Sequence, residues 1–337
     1  MQIAFLGIED WEKEEIKKQL KSHKLYFLKT MPSKADLKEI SNVNVLVSFI
    51  YSQIDKTIID SLPNLKFIAT MSTGYDHIDL TYCQNKCIKV SNVPTYGENT
   101  VAEHTLGLIL TLSRKLFQSV VRTHIEHNFE TDSKLRGFDL KGKTLGIIGG
   151  GHIGLHVARM ARGFEMNVLV SDLHPQISIA KKLGFKYTNL KNLLKKSDII
   201  TLHVPYNKST HHMINESSIK QMKEGIYLIN TSRGAVIDTT ALVKALKSKK
   251  IAACALDVLE EEEDIKEEFQ LLKPEFKQQS KEQLTTILED HVLMSLDNVV
   301  ITPHNAFNSK EALLRILNTT IENIKSFSKG KEINVVN

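Results

Sequence analysis

The chain has 337 residues, more than one compact core usually holds, so its length favours two domains. Its composition, with 42% hydrophobic and 25% charged residues, is that of a globular protein and excludes a disordered chain. The net charge of +5 is scattered rather than gathered into a basic stripe with aromatics, and no apolar run approaches bilayer-spanning length, so we expect no nucleic acid and no membrane as partners.

The cysteines and the first residues bear on the compartment. The N-terminal segment Met1–Gly7 has a strand pattern and not that of a cationic leader. The three cysteines are Cys83, Cys87 and Cys254, and no further ligands at metal-binding spacing accompany them. An odd, small number of cysteines favours a reducing environment, so we expect a cytoplasmic protein without a bound metal.

Short apolar runs alternate with lysine-rich amphipathic stretches along the first third of the chain. Four of these runs are typical of buried strands: Ile3–Leu6, Val45–Phe49, Phe67–Met71 and Ile88–Val90. Apolar residues at helical spacing then predict one long helix from about Thr100 to Asn128. We expect this helix to link two domains.

A second series of apolar runs follows that helix. Its members are Leu145–Ile148, Val168–Val170, Ile199–Val204, Ile226–Asn230, Ile251–Val258 and Val299–Thr302. Continuous apolar strands separated by helix-length segments are typical of parallel sheets covered on both faces. The sequence therefore predicts an α/β protein with two doubly wound parallel-sheet domains.

A final helix is predicted after Phe307. Asn308 is its expected N-cap, Glu311 occupies the third helical position, and Gly330 follows its end. Such a helix can return to the first domain, which would then be discontinuous. We expect one domain of residues 1–100 plus 306–337 and another of residues 101–305.

A glycine-rich turn joins the predicted strand at residues 144–148 to a predicted helix. Gly149, Gly151 and Gly154 have the spacing of the dinucleotide-binding fingerprint. In that fingerprint the first glycine permits the turn, the second lets a pyrophosphate approach, and the third lets the helix pack on the strand. Amides at the start of such a helix bind phosphates, and here they belong to His152 and Ile153.

An acidic residue ends the next predicted strand. Asp172 lies 172 − 154 = 18 residues beyond Gly154, where a ribose-binding carboxylate belongs. A carboxylate there accepts hydrogen bonds from the ribose hydroxyls and repels a 2′-phosphate, so NAD is favoured over NADP. His174 follows closely and is the feature that argues for NADP.

Polar residues also end strands of the second series, where ligands of open α/β sheets bind. Arg233, Asp257 and His304 each follow one such strand, and Glu262 lies five residues beyond Asp257. Reduction of a 2-keto acid needs a cation for the substrate carboxylate, a proton donor, and a group that keeps the donor protonated. Arginine, histidine and a carboxylate suit these tasks, although each residue alone also has an ordinary structural interpretation.

Together these segments resemble the D-isomer-specific 2-hydroxyacid dehydrogenase family over essentially the whole chain. The resemblance lies in Gly142–Gly154, His203–Pro205, Asn230–Gly234, Ala255–Val258 and Ile301–Phe307. It implies an NAD-dependent oxidoreductase that acts on D-2-hydroxy acids. It also implies a homodimer, with a Rossmann NAD-binding domain (101–305) inserted into a smaller flavodoxin-like substrate-binding domain (1–100 plus 306–337).

The resemblance assigns a role to each candidate residue. Arg233 is expected to bind the substrate, Glu262 to be the partner carboxylate, and His304 to exchange the proton. Further cofactor contacts are expected at Val204, Pro205, Thr210, Thr231, Ser232 and Asp257, with Asp257 near the nicotinamide carboxamide. The turn Ser72, Thr73 and Gly74 is expected to hold the substrate carboxylate through its amides. Because Glu262 stands in an acidic run, a shift of register would make Glu261 or Glu263 the partner.

Three aromatic residues bear on the substrate. Tyr51, Tyr96 and Phe307 match the D-lactate dehydrogenase branch, as does the long stretch between Glu262 and His304. Aromatic walls suit a methyl group and disfavour a phosphate, so D-lactate and pyruvate are the expected pair. Glyoxylate, hydroxypyruvate or another 2-keto acid is the alternative within this chemistry. An NAD-sensing, corepressor-like binding protein is the alternative outside it, and turnover of NADH with pyruvate separates the two.

Overall fold

The computed structural model describes residues 1–29, 32–260, 262 and 280–337. The chain divides into two compact units. The first comprises Met1–Tyr96 and Asn308–Asn337, and the second comprises Gly97–Phe307. None of the described helices is long and apolar enough to cross a membrane.

The first unit is built around a five-stranded parallel sheet. Its strands are β1 (Gln2–Leu6), β2 (Lys24–Leu28), β3 (Val45–Ser48), β4 (Phe67–Thr70) and β5 (Lys89–Ser91). Its helices are α1 (Asp10–Gln19), α2 (Lys34–Glu39), α3 (Lys56–Asp60), α4 (Leu80–Asn85) and the C-terminal helix (Lys310–Ser328). The strand order β2-β1-β3-β4-β5 is that of flavodoxin-like sheets. The central strands β3 and β4 are buried along their whole length.

The C-terminal helix packs on the sheet of the first unit. The ring of Phe327 stacks on Phe67 with centroids 4.4 Å apart, and the Asn323 amide donates to the backbone oxygen of Asn92. The helix begins one residue later than predicted, because the Ser309 hydroxyl accepts from the Ala312 amide and makes Ser309 the N-cap in place of Asn308.

The second unit contains a seven-stranded parallel sheet. Its strands are β6 (Thr144–Ile148), β7 (Asn167–Ser171), β8 (Lys186–Tyr187), β9 (Ile199–Leu202), β10 (Ile226–Asn230), β11 (Ile251–Leu256) and β12 (Val299–Ile301). Its helices are α5 (Glu98–Arg114), α6 (Leu116–His124), α7 (His152–Gly163), α8 (Ile177–Leu183), α9 (Leu190–Lys196), α10 (Glu216–Gln221), α11 (Thr239–Lys247) and α12 (Lys281–Ser295). Short 3-10 turns cover Ser133–Leu135 and Gly234–Val236. The strand order β12-β11-β10-β9-β6-β7-β8 reverses direction between β6 and β9, which is the switch point where open α/β sheets bind ligands.

The two parallel sheets confirm the predicted α/β class. Two strands, β2 and β8, were absent from the sequence prediction. Both lie at sheet edges, and β8 has only two residues. No residue of β2 is fully buried, so its sequence lacks the continuous apolar signal of a central strand.

The helix predicted from Thr100 to Asn128 is two helices in the structure. Lys115 takes a left-handed conformation, with φ of 54°, and separates α5 from α6. The apolar stripe of α5 is buried, whereas Leu116, Phe117 and Val120 of α6 are about half exposed, at 47%, 53% and 55%. Helical periodicity predicted the helical state correctly, but it carried no signal for the break.

Candidate active site

The glycine turn between β6 and α7 has the shape that a dinucleotide pyrophosphate needs. Gly149 has φ of +99°, and a Cβ there would lie 2.3 Å from the backbone oxygen of His203. A Cβ on Gly154 would lie 2.0 Å from the oxygen of Gly149, so only glycine lets the helix pack this closely. Gly151, in contrast, faces open space. The first amides of α7, those of His152 and Ile153, therefore lie next to a turn that has no side chains. Such a turn leaves space for the pyrophosphate of NAD beside the amides.

Asp172 follows β7, the strand that pairs with β6. One carboxylate oxygen accepts from the amide of Gly150 at 2.6 Å, and the other accepts from the amide of His174 at 2.7 Å. Two backbone donors therefore fix the carboxylate beside the glycine turn. Its remaining lone pairs are available to ribose hydroxyls. The side chain of His174 is exposed.

The loop after β9 lies on the other side of the switch point. Val204 and Pro205 begin two residues after the end of that strand, and the Thr210 hydroxyl donates to the backbone oxygen of Pro205 at 2.7 Å. The same hydroxyl accepts from the amide of Asn207 at 2.8 Å. Thr210 thus closes the loop on itself and fixes the residues predicted to contact the cofactor.

The Arg233 turn follows β10 and is shaped by an asparagine that the sequence analysis did not name as a site residue. The Asn230 side-chain oxygen accepts from the amide of Ser232 at 3.0 Å and from its hydroxyl at 2.7 Å. The Asn230 amide donates to the backbone oxygen of Arg233 at 2.8 Å. Asn230 is buried at the end of its strand. An asparagine that ends a buried strand before Thr231 is a recognisable turn signal, and it could have been identified.

A close backbone contact links this turn to the segment that leads to Glu262. A Cβ on Gly234 would lie 2.0 Å from the carbonyl of Leu259, so the contact requires glycine. The same segment is tied down by Glu260, whose carboxylate contacts His212 Nε2 at 2.5 Å and accepts from the Thr239 hydroxyl at 2.8 Å. Neither His212 nor Glu260 was named by the sequence analysis.

Glu262 and His304 meet in the structure. Glu262 Oε1 lies 2.6 Å from His304 Nδ1, and its other oxygen accepts from the amide of Leu259 at 3.3 Å. Both side chains are partly buried, at 25% and 14% exposure. The alternative partners Glu261 and Glu263 lie outside the described residues.

The turn that carries His304 is organised around Asp257. His304 has φ of +49° and donates its amide to the Asp257 backbone oxygen at 2.8 Å. The buried Asp257 carboxylate accepts from the Thr302 hydroxyl and from the amides of Asn305 and Ala306, at 2.8 and 2.9 Å. Burial acts to raise the pKa of this carboxyl, but these hydrogen bonds and the neighbouring His104 outweigh it and hold the pKa below the usual value.

Phe307 lies beside the His304 imidazole. The two ring centroids are 6.3 Å apart, and the planes meet at 76°. An aromatic edge at this distance supplies an apolar wall next to the imidazole.

The remaining substrate candidates lie in the first unit, at the carboxyl ends of three adjacent strands. The Ser72–Gly74 turn follows β4, and it is closed by the Ser72 hydroxyl, which donates to the Gly74 oxygen at 2.6 Å. The Thr73 hydroxyl donates to the Val93 oxygen at 2.7 Å. Tyr51 follows β3 and packs its ring on Phe49, while Tyr96 follows β5. Parallel pairing of β3, β4 and β5 brings these residues to one edge of the sheet.

Within the described part of the chain, no three or more His, Cys, Asp or Glu residues form a group that could hold a metal ion. The dinucleotide cradle, the fixed acid after β7 and the histidine–carboxylate pair together define a nicotinamide-dependent dehydrogenase.

Comparison with known proteins agrees with this class. The family model described as D-isomer specific 2-hydroxyacid dehydrogenase, NAD binding domain, matches residues 106–306. D-lactate dehydrogenase of Escherichia coli is 32% identical over 338 residues, 98% of each chain. Glyoxylate reductase of Thermofilum pendens is 36% identical over 304 residues, 89% of this chain and 83% of that one. The solved structure of D-lactate dehydrogenase from Aquifex aeolicus, complexed with NAD and lactic acid, has a TM-score of 0.85 at 40% identity and covers 97% of this chain and 96% of that one.

The chain therefore belongs to the D-isomer-specific 2-hydroxyacid dehydrogenase family. It is an NAD-dependent oxidoreductase that acts on the CH–OH group of 2-hydroxy acids.

Proposed function

We propose that this enzyme is a D-lactate dehydrogenase that interconverts pyruvate and D-lactate. The observation that carries the choice of substrate is the Phe307 ring beside the His304 imidazole, because an apolar aromatic wall next to the proton donor suits the methyl group of pyruvate. The likeness to D-lactate dehydrogenases over nearly the full chain also supports it.

In this proposal Arg233 binds the substrate carboxylate. Its guanidinium is permanently charged and forked, and the Asn230 side chain and the Gly234 contact fix the turn that presents it. The Ser72–Gly74 amides of the first unit are further donors for the same carboxylate.

His304 exchanges the proton. Its Nδ1 faces the Glu262 carboxylate, so Nε2 is the ring atom that donates a proton to the ketone oxygen of pyruvate and takes it back from the hydroxyl of lactate. Bound NADH supplies the hydride for reduction, and NAD⁺ accepts it in oxidation. Reduction thus adds one hydride and one proton across the C=O bond and leaves His304 neutral.

The second unit holds the cofactor in this proposal. Gly149, Gly151 and Gly154 would accommodate the pyrophosphate, and Asp172 would accept from the ribose. The remaining proposed contacts are His152, Ile153, Val204, Pro205, Thr210, Thr231, Ser232 and Asp257. We propose Tyr51 and Tyr96 as the apolar walls that the first unit supplies to the substrate.

A panel of 2-keto acids tests the substrate. NADH oxidation with pyruvate, glyoxylate, hydroxypyruvate and a branched keto acid gives kcat/KM for each, and pyruvate is expected to be highest. The Thermofilum pendens relative makes glyoxylate the second candidate. A higher kcat/KM for glyoxylate would overturn the choice of pyruvate, and NADH binding without turnover of any keto acid would favour the corepressor-like alternative.

We further propose that the enzyme is a homodimer, with α6 in the interface. Leu116, Phe117 and Val120 expose apolar surface on this helix, and Ile125 just beyond it is 71% exposed. We propose that a second copy of the chain covers this apolar surface, because most homo-oligomers are dimers with closed two-fold symmetry. Val120→Glu should yield monomers in light scattering after size exclusion, whereas Thr123→Glu on a polar position of the same helix should not. A parent enzyme that is monomeric would rule this out.

We also propose a cytoplasmic location. All three cysteines are free, and burial raises the pKa of the Cys83 thiol to about 11, so it stays protonated. Free thiols are typical of a reducing compartment.

A further inference from the structure

Two consecutive residues of α5 reach the two turns that carry the proposed catalytic residues. His104 contacts the turn that presents His304, and Thr105 contacts the turn that presents Arg233. Consecutive side chains point about 100° apart on a helix, so one helical turn can touch both loops at once. The sequence analysis assigned neither residue a role.

The direction of the His104 contact follows from counting protons. The Thr302 hydroxyl donates its single proton to the Asp257 carboxylate, so its oxygen must accept from His104 Nε2, 3.1 Å away. Nε2 is therefore the protonated nitrogen of His104, and it also lies 3.4 Å from Asp257 Oδ1. Asp257 also accepts hydrogen bonds from the amides of Asn305 and Ala306. His104 therefore helps to hold in place the carboxylate that fixes the turn at His304.

The same count applies to Thr105. Its hydroxyl donates to the Val101 backbone oxygen at 2.8 Å within α5, so it accepts from the Thr231 hydroxyl at 3.0 Å. Thr105 is completely buried, and Thr231 is two residues from Arg233. The contact fixes the start of the arginine turn and uses the only proton of the Thr231 hydroxyl.

We propose that His104 and Thr105 are positioning residues. Through them, helix α5 fixes the position of the Arg233 turn relative to the His304 turn. This inference rests on the catalytic roles proposed above for Arg233 and His304. Neither α5 residue is proposed to touch substrate or cofactor. Their effect is exerted through Thr302 and Asp257 on one side and through Thr231 on the other.

His104→Leu and His104→Gln test the first contact. Leucine removes the donor, so kcat for pyruvate should fall about tenfold, the effect of losing a hydrogen bond to a charged network, and the fall in rate at alkaline pH should begin at lower pH. Glutamine carries an N–H near the place of Nε2 and should restore most of kcat.

Thr105→Val tests the second contact. Valine has nearly the same shape but lacks the hydroxyl, so KM for pyruvate should rise about fivefold because the Thr231 hydroxyl loses its acceptor. Thr105→Ser should restore KM. The matched control is Thr111→Val on the same helix, whose hydroxyl donates only to the Gly107 backbone oxygen, and it should behave as the parent. A merely structural loss would lower the melting temperature and the folded fraction while leaving the pH profile and KM unchanged.

The outcomes separate this inference from the proposed mechanism. If His304→Gln keeps parental activity, the proposed mechanism fails and the inference fails with it. If His304→Gln is inactive while His104→Leu and Thr105→Val match the parent in kcat, KM and pH profile, only the inference is overturned. Should the leucine variant not fold, His104→Asn, which is too short to reach Thr302, provides the same comparison with glutamine.

Discussion

At the level of single residues, the hydrogen bonds that a side chain already makes decide which of its atoms remain for a ligand. Glu262 occupies His304 Nδ1, and backbone amides occupy both oxygens of Asp172. A carboxylate held in this way cannot turn away from a ligand, so its charge acts at a fixed place.

Glu262→Gln removes the charge but keeps an oxygen that can accept from His304. The protonated imidazole loses its stabilising partner, so pyruvate reduction should fade at lower pH than in the parent. The pH profile of NADH oxidation measures this. Glu260→Gln is the matched control, because Glu260 contacts His212 and not His304, and its profile should keep the parental shape. Superimposable profiles for Glu262→Gln and the parent would show that Glu262 is not the partner.

Asp172→Ala removes the charge that repels a 2′-phosphate. The parent should prefer NADH strongly over NADPH, and the variant should narrow that preference by more than about tenfold in kcat/KM. Glu165→Ala is the control, since it removes an exposed carboxylate that pairs with Lys141. Equal use of both cofactors by the parent would contradict the assignment of Asp172.

At the scale of elements, strand ends and the turns after them present the candidate residues. Strands β10, β11 and β12 pair in parallel, so the Arg233 turn, the Asp257 segment and the His304 turn leave the sheet at the same edge. Asn230 shapes the first turn, Asp257 shapes the last, and Gly234 allows the first turn to pack on the Leu259 backbone. Backbone-to-backbone packing at Gly234 thus sets the relative position of the Arg233 turn and the segment that leads to Glu262.

Gly234→Ala should disturb both elements at once. The added Cβ would overlap the Leu259 carbonyl, so one backbone must move, at a cost of about 1–3 kcal/mol in stability. The activity should fall further than stability explains, because the Arg233 turn shifts. Gly107→Ala, whose Cβ would meet open space on α5, is the control and should be neutral or stabilising by up to about 1 kcal/mol. Thermal unfolding and kcat/KM measure both effects, and parental values for Gly234→Ala would refute the packing argument.

At the scale of the whole molecule, each unit has its own buried core and parallel sheet. A partly buried histidine, whose Nδ1 atom is shielded from solvent, gives folding a pH dependence. His203 follows β9, and burial lowers its pKa to about 3. The unfolded chain binds a proton at this histidine near its ordinary pKa of 6.5, while the folded chain does not. Folding must therefore release this proton below the ordinary pKa, so the free energy of unfolding decreases as the pH falls from 6.5 towards 3.

His203→Gln should make the enzyme less sensitive to acid. Glutamine can keep the hydrogen bond to Thr201 and does not titrate, so its free energy of unfolding should fall less between pH 6.5 and 5 than that of the parent. The difference is at most about 1.4 kcal/mol for each pH unit below the ordinary pKa. His124→Gln, at an exposed position on α6, should leave the slope unchanged. Denaturant unfolding at several pH values measures the free energy of unfolding of each variant. If it depended on pH equally steeply in His203→Gln and in the parent, the prediction would be contradicted.

The α/β class, the glycine turn and the acid after β7 could all be predicted from the amino-acid sequence. These features are local, because each strand, turn and helix N-terminus involved lies within about thirty residues of the others. Hydrophobic periodicity and backbone sterics over such a short segment predict them. The spacing of Arg233, Glu262 and His304 also carried a signal, since each follows a strand with a strong apolar pattern. Local patterns did not predict β2, β8 or the break at Lys115. Edge strands are only partly buried and lack a continuous apolar run, and a single residue with positive φ does not change the hydrophobic periodicity.

Contacts between residues that are far apart in the chain could not be predicted without the three-dimensional structure. His104 and Thr302 are 198 residues apart, and Thr105 and Thr231 are 126 apart, so no spacing rule connects them. The same holds for His212 and Glu260, and for the approach of Gly234 to Leu259. A hydrogen bond requires two atoms within about 3 Å, and that distance is set by the sheet order, which brings distant strand ends to one edge, together with the packing of α5. The sequence thus determined which chemical groups this enzyme has, and the packing of α5 and the strand ends determined how they are arranged.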